Sequence, residues 1–469
     1  MTGSNMNLRR IFLCAFATAE LAWATFAASP TASSAKPNIV LFIADDLGYD
    51  FTGFNSQNVV QTPNLDTLAR EGMRFTRAFA ASPTCSPSRA AILTGLYPQR
   101  NGMMGNHTDC HPGLMSLPAY LKALGYRVVA ANKTDVRPRS VFNWEVLPAA
   151  LPKNPALDRV YRREGLDTAQ VEALLADHAK NRAQQPLCLL IGDDCPHVVW
   201  EKNKVSDPTK LPIPPNMVDT PKTRTALANY YQDITTLDHH LGDVLASLKR
   251  HGFEQNTLLI FTSDQGPEWP HCKLTCYDTG LRVPLIVRWP GRVAAGKTSD
   301  ALLSLIDLTP TFVDAAGGST PPELDGRSFK DVLLGRTSSH RQEIFATHTG
   351  DGTMNMFPQR CVRDIRYKFI LNLHPERTWT THFTKVGGIP DSHKDVWDAW
   401  VREAKTDASA ARLLDILEHH PAEELYDTEA DPYELDNLAA KPVFQPVLEK
   451  LRAKLAQWRT QVGDKDETE

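Results

Sequence analysis

The sequence predicts an α/β fold in which one open sheet carries helices on both faces. Two apolar runs, Asn38–Gly48 and Thr257–Gly266, each end in acidic or amide side chains and a glycine, as buried parallel strands do when their carboxyl ends carry a site. Between them, Ala226–Arg250 places its apolar side chains at helical spacing. Strand and helix patterns alternate in this way from residue 38 to residue 316, and such alternation is typical of α/β domains.

The remaining elements of this domain follow the same alternation. Further strands are expected at three short apolar runs, namely Arg127–Ala131, Leu187–Ile191 and Pro284–Trp289. Short helices are expected at three segments that each begin with proline, namely Pro63–Glu71, Pro118–Leu124 and Pro310–Ala316. Proline suits the first turn of a helix, where a backbone N–H has no partner to lose.

Residues 336–469 are expected to form a second, smaller α+β subdomain beside a larger domain of residues 36–335. Arg366–Leu373 has the alternation of a strand, and Phe444–Gln461 has the apolar spacing of a terminal helix. Thr378–Ala410 has neither pattern clearly, so no element is predicted there.

The composition indicates a globular protein without an electrostatic surface for nucleic acid. Hydrophobic residues make up 42% of the 469-residue chain and charged residues 23%, which is ordinary for folded domains. The net charge of −4 gives no basic field, so no nucleic-acid partner is expected, and an anionic substrate would need a local pocket of cations. No internal segment has the ~20 apolar residues of a membrane span, so no stable membrane insertion is expected.

Residues 1–35 have the pattern of an export signal. Arg9 and Arg10 precede an apolar stretch, Ile11–Phe26, and small residues follow it to Ala35. The apolar run is short for a membrane anchor, which is the alternative interpretation. The protein is therefore expected to be exported, either to a periplasm or into the medium.

The chain has eight cysteines, and export would permit disulfides among them. Cys272 and Cys276 are the pair closest in sequence, while free buried thiols are the alternative. No CxxC pair is present to support a zinc site.

Cys85 lies at the predicted start of a helix, beside a proline and an arginine. Because Pro87 suits a first helical turn, Cys85 is expected just before the helix N-terminus, in the field of the helix dipole. Arg89, four residues later, would project near the same end and complete an anion pocket. Cys85 could be a structural cysteine, a thiol nucleophile or the precursor of another group.

If the anion bound in this pocket is a sulfate ester, its chemistry separates these alternatives. A thiolate that attacked the sulfur would form an adduct with no easy route of breakdown. A hydrated aldehyde made from the cysteine avoids this problem: one hydroxyl attacks sulfur, and the other then loses its proton and expels sulfate as the aldehyde reforms.

The stretch CSPSRAAILTG, Cys85–Gly95, resembles the signature of type I sulfatases, C-x-P-S-R followed by a short helix and T-G. The resemblance extends from Asn38 to Trp458. It implies an alkaline-phosphatase-like fold with a C-terminal subdomain, and conversion of Cys85 to formylglycine by a formylglycine-generating enzyme.

Four oxygen-bearing side chains at the two strand ends are the predicted metal ligands: Asp45, Asp46, Asp264 and Gln265. Oxygen ligands suit a hard cation, and the family resemblance implies Ca²⁺. The family usually has Asn or His at the position of Gln265. Taken alone, Asp45 and Asp46 would be better explained as a helix cap; the second pair of ligands and Cys85 favour the metal site.

The resemblance also implies cationic and acid–base residues around the sulfate. Lys273 matches a lysine that binds sulfate and assists the leaving oxygen, and Lys133 matches the lysine of a G-K-x-H block. Asp135 stands where that block has histidine, and a carboxylate donates a hydrogen bond only when protonated. Asp135 is therefore expected to bind a substrate hydroxyl or amine, or else His107 or His111 supplies the missing base.

His197 follows the predicted strand Leu187–Ile191 and matches a P-H pair of the family. The resemblance implies that it protonates the leaving group, while an ordinary loop histidine is the alternative.

Several stretches, including FPQRCVRDIRYKFILNL, are similar to the heparan N-sulfatase branch of the family and its bacterial relatives. This similarity implies a sulfated saccharide substrate held by residues of both domains, with His348 and Arg360 as contacts from the second. Lys273 stands where an N-sulfatase is expected to have arginine, so cleavage of N–S or O–S bonds stays open.

Two other functions are compatible with the same sequence features. One is phosphonate or phosphodiester hydrolysis, which this fold and cysteine motif also support. The other is non-catalytic glycan binding, which would follow if Cys85 were never oxidised.

Overall fold

Two β-sheets organise the chain in a computed structural model, which describes residues 36–56, 59–147, 165–351, 355–385 and 393–465. The predicted export signal, residues 1–35, lies outside the described residues. Among the described residues, no helix combines the length and apolar character needed to cross a bilayer.

The larger sheet forms the centre of the molecule. Its strands are β1 (Asn38–Ala44), β2 (Met73–Phe75), β4 (Arg127–Asn132), β5 (Glu145–Leu147), β6 (Leu187–Gly192), β7 (Thr257–Ser263), β8 (Leu285–Arg288) and β9 (Lys297–Ser299), and a separate two-stranded pair joins β3 (Ala78–Phe79) to β10 (Leu303–Ser304). The strand order in the large sheet is β5-β4-β6-β1-β7-β8-β2-β9.

The first five strands in this order, β5, β4, β6, β1 and β7, run parallel to one another. Strand β8 is antiparallel to both of its neighbours, β7 and β2. In the β1–β7 pair, Ala44 lies opposite Ser263. The residues that follow these two strands therefore emerge side by side at the carboxyl edge of the sheet.

Helices surround the sheet. They are α1 (Pro63–Glu71), α2 (Cys85–Thr94), α3 (Pro98–Asn101), α4 (Leu117–Ala123), α5 (Thr168–Asn181), α6 (Pro221–Arg250), α7 (Asp278–Leu281), α8 (Leu308–Ala315), α9 (Lys330–Leu333), α10 (His382–Lys385), α11 (Lys394–Glu403), α12 (Ala408–Glu418) and α13 (Gln445–Val462).

Both faces of the sheet are buried, as the alternation along β1 demonstrates. Ile39, Leu41 and Ile43 belong to one apolar cluster, which also contains side chains of α2, α4 and α8. Val40 and Phe42 belong to another, which contains side chains of α1, α5 and α6. Since successive side chains of a strand point to opposite faces, helices cover both faces, and the predicted fold class is confirmed.

The second sheet is antiparallel. Its strands β11 (Ile344–His348), β12 (Gln359–Arg363), β13 (Tyr367–Asn372) and β14 (Glu423–Asp427) follow one another in order. Side chains of α13 share an apolar cluster with β12, β13 and β14. Together they form the smaller α+β part of the fold.

Most predicted elements occur within a few residues of their expected bounds, but some details differ. Helix α2 begins at Cys85 itself, not after it. Helix α6 begins earlier than predicted, at Pro221. The segment Thr378–Ala410 contains α10 and α11. No helix was predicted there because polar and apolar residues are mixed in this part of the sequence. Helix α5 carried no prediction.

The predicted domain boundary at residue 335 falls between α9 and β11. Residues 36–469 cluster as one compact unit, so the boundary stays a prediction from sequence.

Candidate active site

Four parallel strands deliver functional side chains to one edge of the sheet. Asp45 follows β1, Asp264 follows β7, Lys133 follows β4, and the segment Asp193–His197 follows β6. The carboxyl ends of neighbouring parallel strands meet at the same edge of a sheet. The topology alone therefore brings together residues that are more than 200 positions apart in sequence.

The acidic side chains at this edge form a buried cluster. Asp45, Asp46 and Asp264 are each 0% exposed, and one oxygen from each lies within 4.8 Å of the others. Gln265 is also buried, and its Oε1 has no hydrogen-bond partner among the described residues. The three carboxylate oxygens are donors that fit a hard divalent cation. Gln265 turns its Nε2 toward the cluster and donates to Asp46 Oδ1, so its amide must flip before Oε1 can join the carboxylates.

The backbone holds these oxygens in place. Asp46 adopts φ 68°, a left-handed conformation that is uncommon for residues other than glycine. Two hydrogen bonds stabilise this turn: the Asp46 amide donates to Asp264 Oδ1 at 3.2 Å, and the Tyr230 hydroxyl of α6 donates to the Asp46 carbonyl at 2.8 Å.

Each buried carboxylate contacts its own cation. Arg89 Nε lies 2.8 Å from Asp264 Oδ2, Lys133 Nζ lies 2.5 Å from Asp45 Oδ2, and Lys273 Nζ lies 2.9 Å from Asp46 Oδ2. Burial lowers the pKa of both lysines, but the charges of the carboxylates outweigh it and hold each pKa well above its usual value. Both lysines therefore remain cationic.

A fourth carboxylate belongs to the cluster. Glu268 Oε2 lies 2.9 Å from Lys273 Nζ. With His197 left out of the count and all four carboxyl groups ionised, three cations leave one net negative charge. Burial raises the pKa of Asp264 to about 8, so a bound cation would favour its ionised form. A divalent cation and a monoanionic sulfate ester would together bring the site to neutrality.

Cys85 lies against this cluster at the first residue of α2. Its Sγ is 3.5 Å from Asp45 Oδ1 and 3.3 Å from Gln265 Nε2, and the residue is 3% exposed. Burial raises the pKa of the thiol well above its usual value, although Lys133 and Lys273 act in the opposite direction. An unmodified Cys85 is therefore a poor thiolate nucleophile.

His197 reaches the same cluster from the loop after β6. Its Nε2 lies 3.8 Å from Asp46 Oδ2 and 3.7 Å from Glu268 Oε2, while Nδ1 hydrogen-bonds the Val198 carbonyl at 2.6 Å. The hydrogen bond at Nδ1 leaves Nε2 as the ring nitrogen that faces the acidic cluster.

Asp135 and His107 form a pair at the rim of the site. His107 Nδ1 lies 3.3 Å from Asp135 Oδ1, and this hydrogen bond raises the pKa of His107. Burial raises the pKa of Asp135, but His107 and Lys133 outweigh it and bring the pKa to about 2. Asp135 Oδ2 is buried and has no hydrogen-bond partner among the described residues. His111, the other candidate, is exposed.

His348 and Arg360 are buried at positions that favour structural roles. His348 Nδ1 bonds the Thr84 hydroxyl at 3.0 Å, next to Cys85, and its Nε2 bonds the Asn355 carbonyl at 3.1 Å. Arg360 is 1% exposed and binds both carboxylate oxygens of Asp464 at 2.9 Å. The guanidinium therefore ties β12 to the end of α13, and the predicted saccharide contact has no support in this geometry.

The cysteines among the described residues are free thiols. Cys272 Sγ accepts a hydrogen bond from Asn216 at 3.6 Å, whereas the Cys276 thiol is hydrogen-bonded to Cys361. The pair closest in sequence is therefore not joined.

Comparison with known proteins places these motifs in a family. The family model described as Sulfatase matches residues 37–319, more than half of the chain. The chain belongs to the sulfatase family. A second model, described as the C-terminal part of N-sulphoglucosamine sulphohydrolase, matches residues 269–397. The activity of this family member is that of a sulfuric ester hydrolase.

Individual relatives cover nearly all of this sulfatase. An ulvan-active sulfatase of Formosa agariphila is 34% identical over 92% of this chain and 82% of its own length. Human N-sulphoglucosamine sulphohydrolase is 28% identical over 92% of this chain and 91% of its own. A solved structure in complex with its substrate, D-glucosamine-2-N,6-O-disulfate, shares the fold with a TM-score of 0.70 at 20% identity, covering 92% of this chain and 100% of that one.

Three residues that contact the site carried no sequence prediction. Glu268 binds Lys273, Tyr230 holds the Asp46 turn, and Asn106 Oδ1 accepts the Ser86 amide at 3.2 Å beside Cys85. Tyr230 lies in the apolar stripe of an amphipathic helix, where the pattern indicates core packing. Glu268 is five residues before Lys273, and that proximity was the one available signal.

Gly192 provides a test of how the sheet positions Lys133 in this sulfatase. A Cβ at Gly192 would lie 1.8 Å from the Lys133 carbonyl oxygen, so Gly192→Ala must displace the backbone that carries the lysine. We expect a loss of about 10²-fold in sulfate-ester turnover and of about 1–3 kcal/mol in the free energy of unfolding. Gly165→Ala is the matched control, because no atom of the described residues lies within 4 Å of its added Cβ. Kinetics and thermal unfolding equal to wild type in Gly192→Ala would contradict this.

Proposed function

We propose that this sulfatase removes sulfate groups from a sulfated saccharide, with formylglycine made from Cys85 as nucleophile and Ca²⁺ bound by Asp45, Asp46, Asp264 and Gln265. The observation that carries the proposal is the position of Cys85. Its sulfur lies 3.5 Å from an oxygen of the buried acidic cluster, at the start of a helix and beside three cations.

The burial of Cys85 supports conversion of the thiol rather than its direct use. A thiol with a raised pKa is rarely ionised and is therefore a weak nucleophile. Formylglycine, when formed, supplies a hydrated aldehyde whose hydroxyl can accept the sulfuryl group and whose second hydroxyl allows sulfate to leave. Because the folded chain hides Cys85, we infer that the formylglycine-generating enzyme acts before folding.

The donor set at the strand ends supports a hard cation. Asp45, Asp46 and Asp264 offer carboxylate oxygens. A flip of the Gln265 amide would add Oε1, which has no hydrogen-bond partner among the described residues, in place of the Nε2 that now donates to Asp46. Bound Ca²⁺ would orient the sulfate oxygens and offset negative charge that develops in the transition state.

The cations of the chain then act on the sulfate. Lys133 and Lys273 now neutralise Asp45 and Asp46. Once a divalent ion takes over that neutralisation, the two ammonium groups can direct N–H donors toward the substrate anion. Arg89 stays on Asp264 through a 2.8 Å hydrogen bond and holds that ligand in position.

His197 is the proposed acid for the leaving oxygen. Its Nε2 lies 3.8 Å from Asp46 Oδ2 and 3.7 Å from Glu268 Oε2, beside the acidic cluster. A proton held at Nε2 can therefore pass to the sugar oxygen, or to nitrogen in an N-sulfate, as the bond to sulfur breaks.

Asp135 and His107 together can replace the histidine that the family pattern has at position 135. Asp135 orients the His107 ring and raises the pKa of its imidazole. Asp135 and His107 come from different segments. The segment of Asp135 lacks the expected histidine, and the segment of His107 supplies one. The unpartnered Asp135 Oδ2 leaves an acceptor for a substrate hydroxyl or amine.

A cavity of about 560 Å³ next to Asn106 can accommodate the saccharide. Its lining includes Met104, His111, Thr349 and Lys465. The Thr349 hydroxyl is buried and has no hydrogen-bond partner among the described residues. This combination of apolar surface, one cation and an unsatisfied hydroxyl suits a sugar that carries charge.

The relatives support the same substrate class. One is named for N-sulphoglucosamine, and the substrate in one similar structure is a glucosamine disulfate. The proposal includes export to a periplasm or the medium, on the basis of the pattern in residues 1–35.

Replacement of Cys85 tests the nucleophile. We expect Cys85→Ala to abolish sulfate hydrolysis while the thermal unfolding midpoint changes little, because alanine is well tolerated at a helix start. Active wild-type enzyme should carry formylglycine, which is ~18 Da lighter than cysteine in intact-mass analysis.

The substrate class is tested with the same two proteins. Defined sulfated mono- and disaccharides, an aryl sulfate and an aryl phosphonate are assayed in parallel. Turnover of a sulfated sugar by wild type alone supports the proposal. Full activity in a preparation whose Cys85 is unmodified, or dominant turnover of the phosphonate, would contradict it.

Replacement of Asp264 tests the metal centre. We expect Asp264→Asn to lose Ca²⁺ from metal analysis and at least ~10²-fold of kcat, because a buried ligand and the partner of Arg89 disappear together. Dialysis of wild type against a chelator should produce the same loss, reversible by Ca²⁺. Asp243→Asn, an acidic residue on α6 outside the cluster, is the control. Unchanged activity in chelator excludes the metal role.

Replacement of Asp135 tests the histidine pair. Because Asp135 raises the pKa of His107, Asp135→Asn should shift the corresponding limb of the kcat/KM pH profile to lower pH. It should also reduce the rate by roughly 10²-fold. His107→Ala should cause a similar loss, and the double variant should be no worse than either single one. Additive losses, or an unshifted profile, would show that the two residues do not act as a pair.

A further inference from the structure

A second cluster of metal-binding side chains lies outside the proposed calcium centre. Asp193 and Cys195 are in the loop after β6, and His240 is on α6. One carboxylate oxygen, the thiol sulfur and one imidazole nitrogen of these residues lie within 4.8 Å of one another. Neither the family motif nor the proposed mechanism uses any of the three.

The charge of Asp193 is the first indication that a cation belongs here. Asp193 is 0% exposed; its Oδ2 lies 2.7 Å from His240 Nδ1, and its Oδ1 accepts the Cys195 amide at 3.0 Å. Within the described part of the chain, His240 is the one basic side chain paired with it. Burial of a carboxylate is costly without a compensating cation.

The donor atoms are the second indication. Carboxylate oxygen, imidazole nitrogen and thiolate sulfur are ligands of Zn²⁺ and similar borderline-soft ions, whereas calcium takes oxygen ligands. Donors bound to one such ion lie roughly 3.3–3.8 Å apart, given bond lengths of about 2.0–2.3 Å. The Asp193–His240 hydrogen bond must therefore open by less than about 1 Å for both residues to bind the ion.

Solvent can reach the cluster. The His240 side chain is 21% exposed, and Cys195 is partly exposed. An ion can thus enter without unfolding of the loop, and water can complete a tetrahedral set of four ligands.

We propose that Asp193, Cys195 and His240 bind a zinc-class divalent cation at a site separate from the calcium centre. Binding releases the thiol proton of Cys195 to solvent. The proton that His240 Nδ1 donates to Asp193 is also displaced, so that Nε2 carries the one ring proton, and the hydrogen bond between Asp193 and His240 breaks.

The position of this site couples it to the active site. The Asp45 amide donates to the Cys195 carbonyl at 3.2 Å, and the Asp193 amide donates to the Ile43 carbonyl at 2.9 Å. His197, the proposed acid, follows Cys195 by two residues. A cation on Asp193 and Cys195 therefore fixes the base of the loop that carries His197.

Cobalt is the probe that tests the site, because a Co²⁺–thiolate bond has a charge-transfer absorption in the near ultraviolet. The full-length enzyme is saturated with Ca²⁺ and titrated with Co²⁺. We expect one equivalent to produce this absorption and one equivalent of Zn²⁺ to abolish it. Cys195→Ser should lose the absorption, and His240→Ala should weaken binding at least tenfold. His239→Ala, an exposed neighbour on α6, should behave as wild type.

Two further variants keep the result interpretable. Asp264→Asn removes a ligand of the proposed calcium centre and should retain the absorption, which makes this outcome independent of the proposed function. Cys110→Ser removes another cysteine and should retain it also. Absence of the absorption in wild type, its persistence in Cys195→Ser when that variant has wild-type circular dichroism, or its loss in Asp264→Asn would overturn the proposal.

Discussion

Compensation of buried charge at the carboxyl edge of the large sheet is the constraint on which the site depends. Asp45, Asp46 and Asp264 are fully buried, and each needs a cation. The cations come from three different parts of the chain: Arg89 from α2, Lys133 from the end of β4, and Lys273 from the segment before α7. Loss of Arg89 would leave Asp264 buried and unpaired, at a cost of about 3–5 kcal/mol.

The smaller sheet takes part in this arrangement, because it holds the segment that carries Lys273. Asp278, five residues after Lys273, binds Arg363 of β12 at 3.1 Å and forms a further ion pair with Lys368 of β13. Lys368 also donates to the Cys276 carbonyl at 3.0 Å. The second sheet therefore contributes to the active site by fixing a loop of the first, rather than through Arg360.

The sequence predicted the parts of the site that depend on local pattern and topology. Residues that end apolar strands were expected together, and the pairing of β1 with β7 brings them together. The contacts that the sequence did not predict join residues that are far apart in the chain and meet only in the folded structure. The pairing of Asp135 with His107, residues 28 positions apart on separate loops, leaves no periodic signal. Arg360 was expected to contact the saccharide, but its guanidinium is buried against Asp464, a partner 104 positions away that no local pattern indicates.

The antiparallel direction of β8 has a similar explanation. Its apolar run is as short and as buried as those of the parallel strands, so composition cannot distinguish the two directions. Direction is decided by the connection instead: a short path through α7 leads from β7 to β8 and returns the chain along the same edge. The chain thereby crosses the carboxyl edge between β7 and β8, and that crossing contains Glu268 and Lys273.

One proposed cation site contains Asp193 and Cys195 of the segment that follows β6, and the Asp45 amide of the other site donates to the Cys195 carbonyl. The donors of the two sites differ in chemical hardness. A site made only of oxygen ligands can bind zinc-class ions with appreciable affinity, so its selectivity for calcium depends mainly on its geometry. The mixed cluster of Asp193, Cys195 and His240 offers such an ion sulfur and nitrogen ligands a few residues away. An ion that prefers these ligands is thereby held away from the carboxylates beside Cys85. The same loop that presents His197 to the sulfate would then also keep the calcium centre free for calcium.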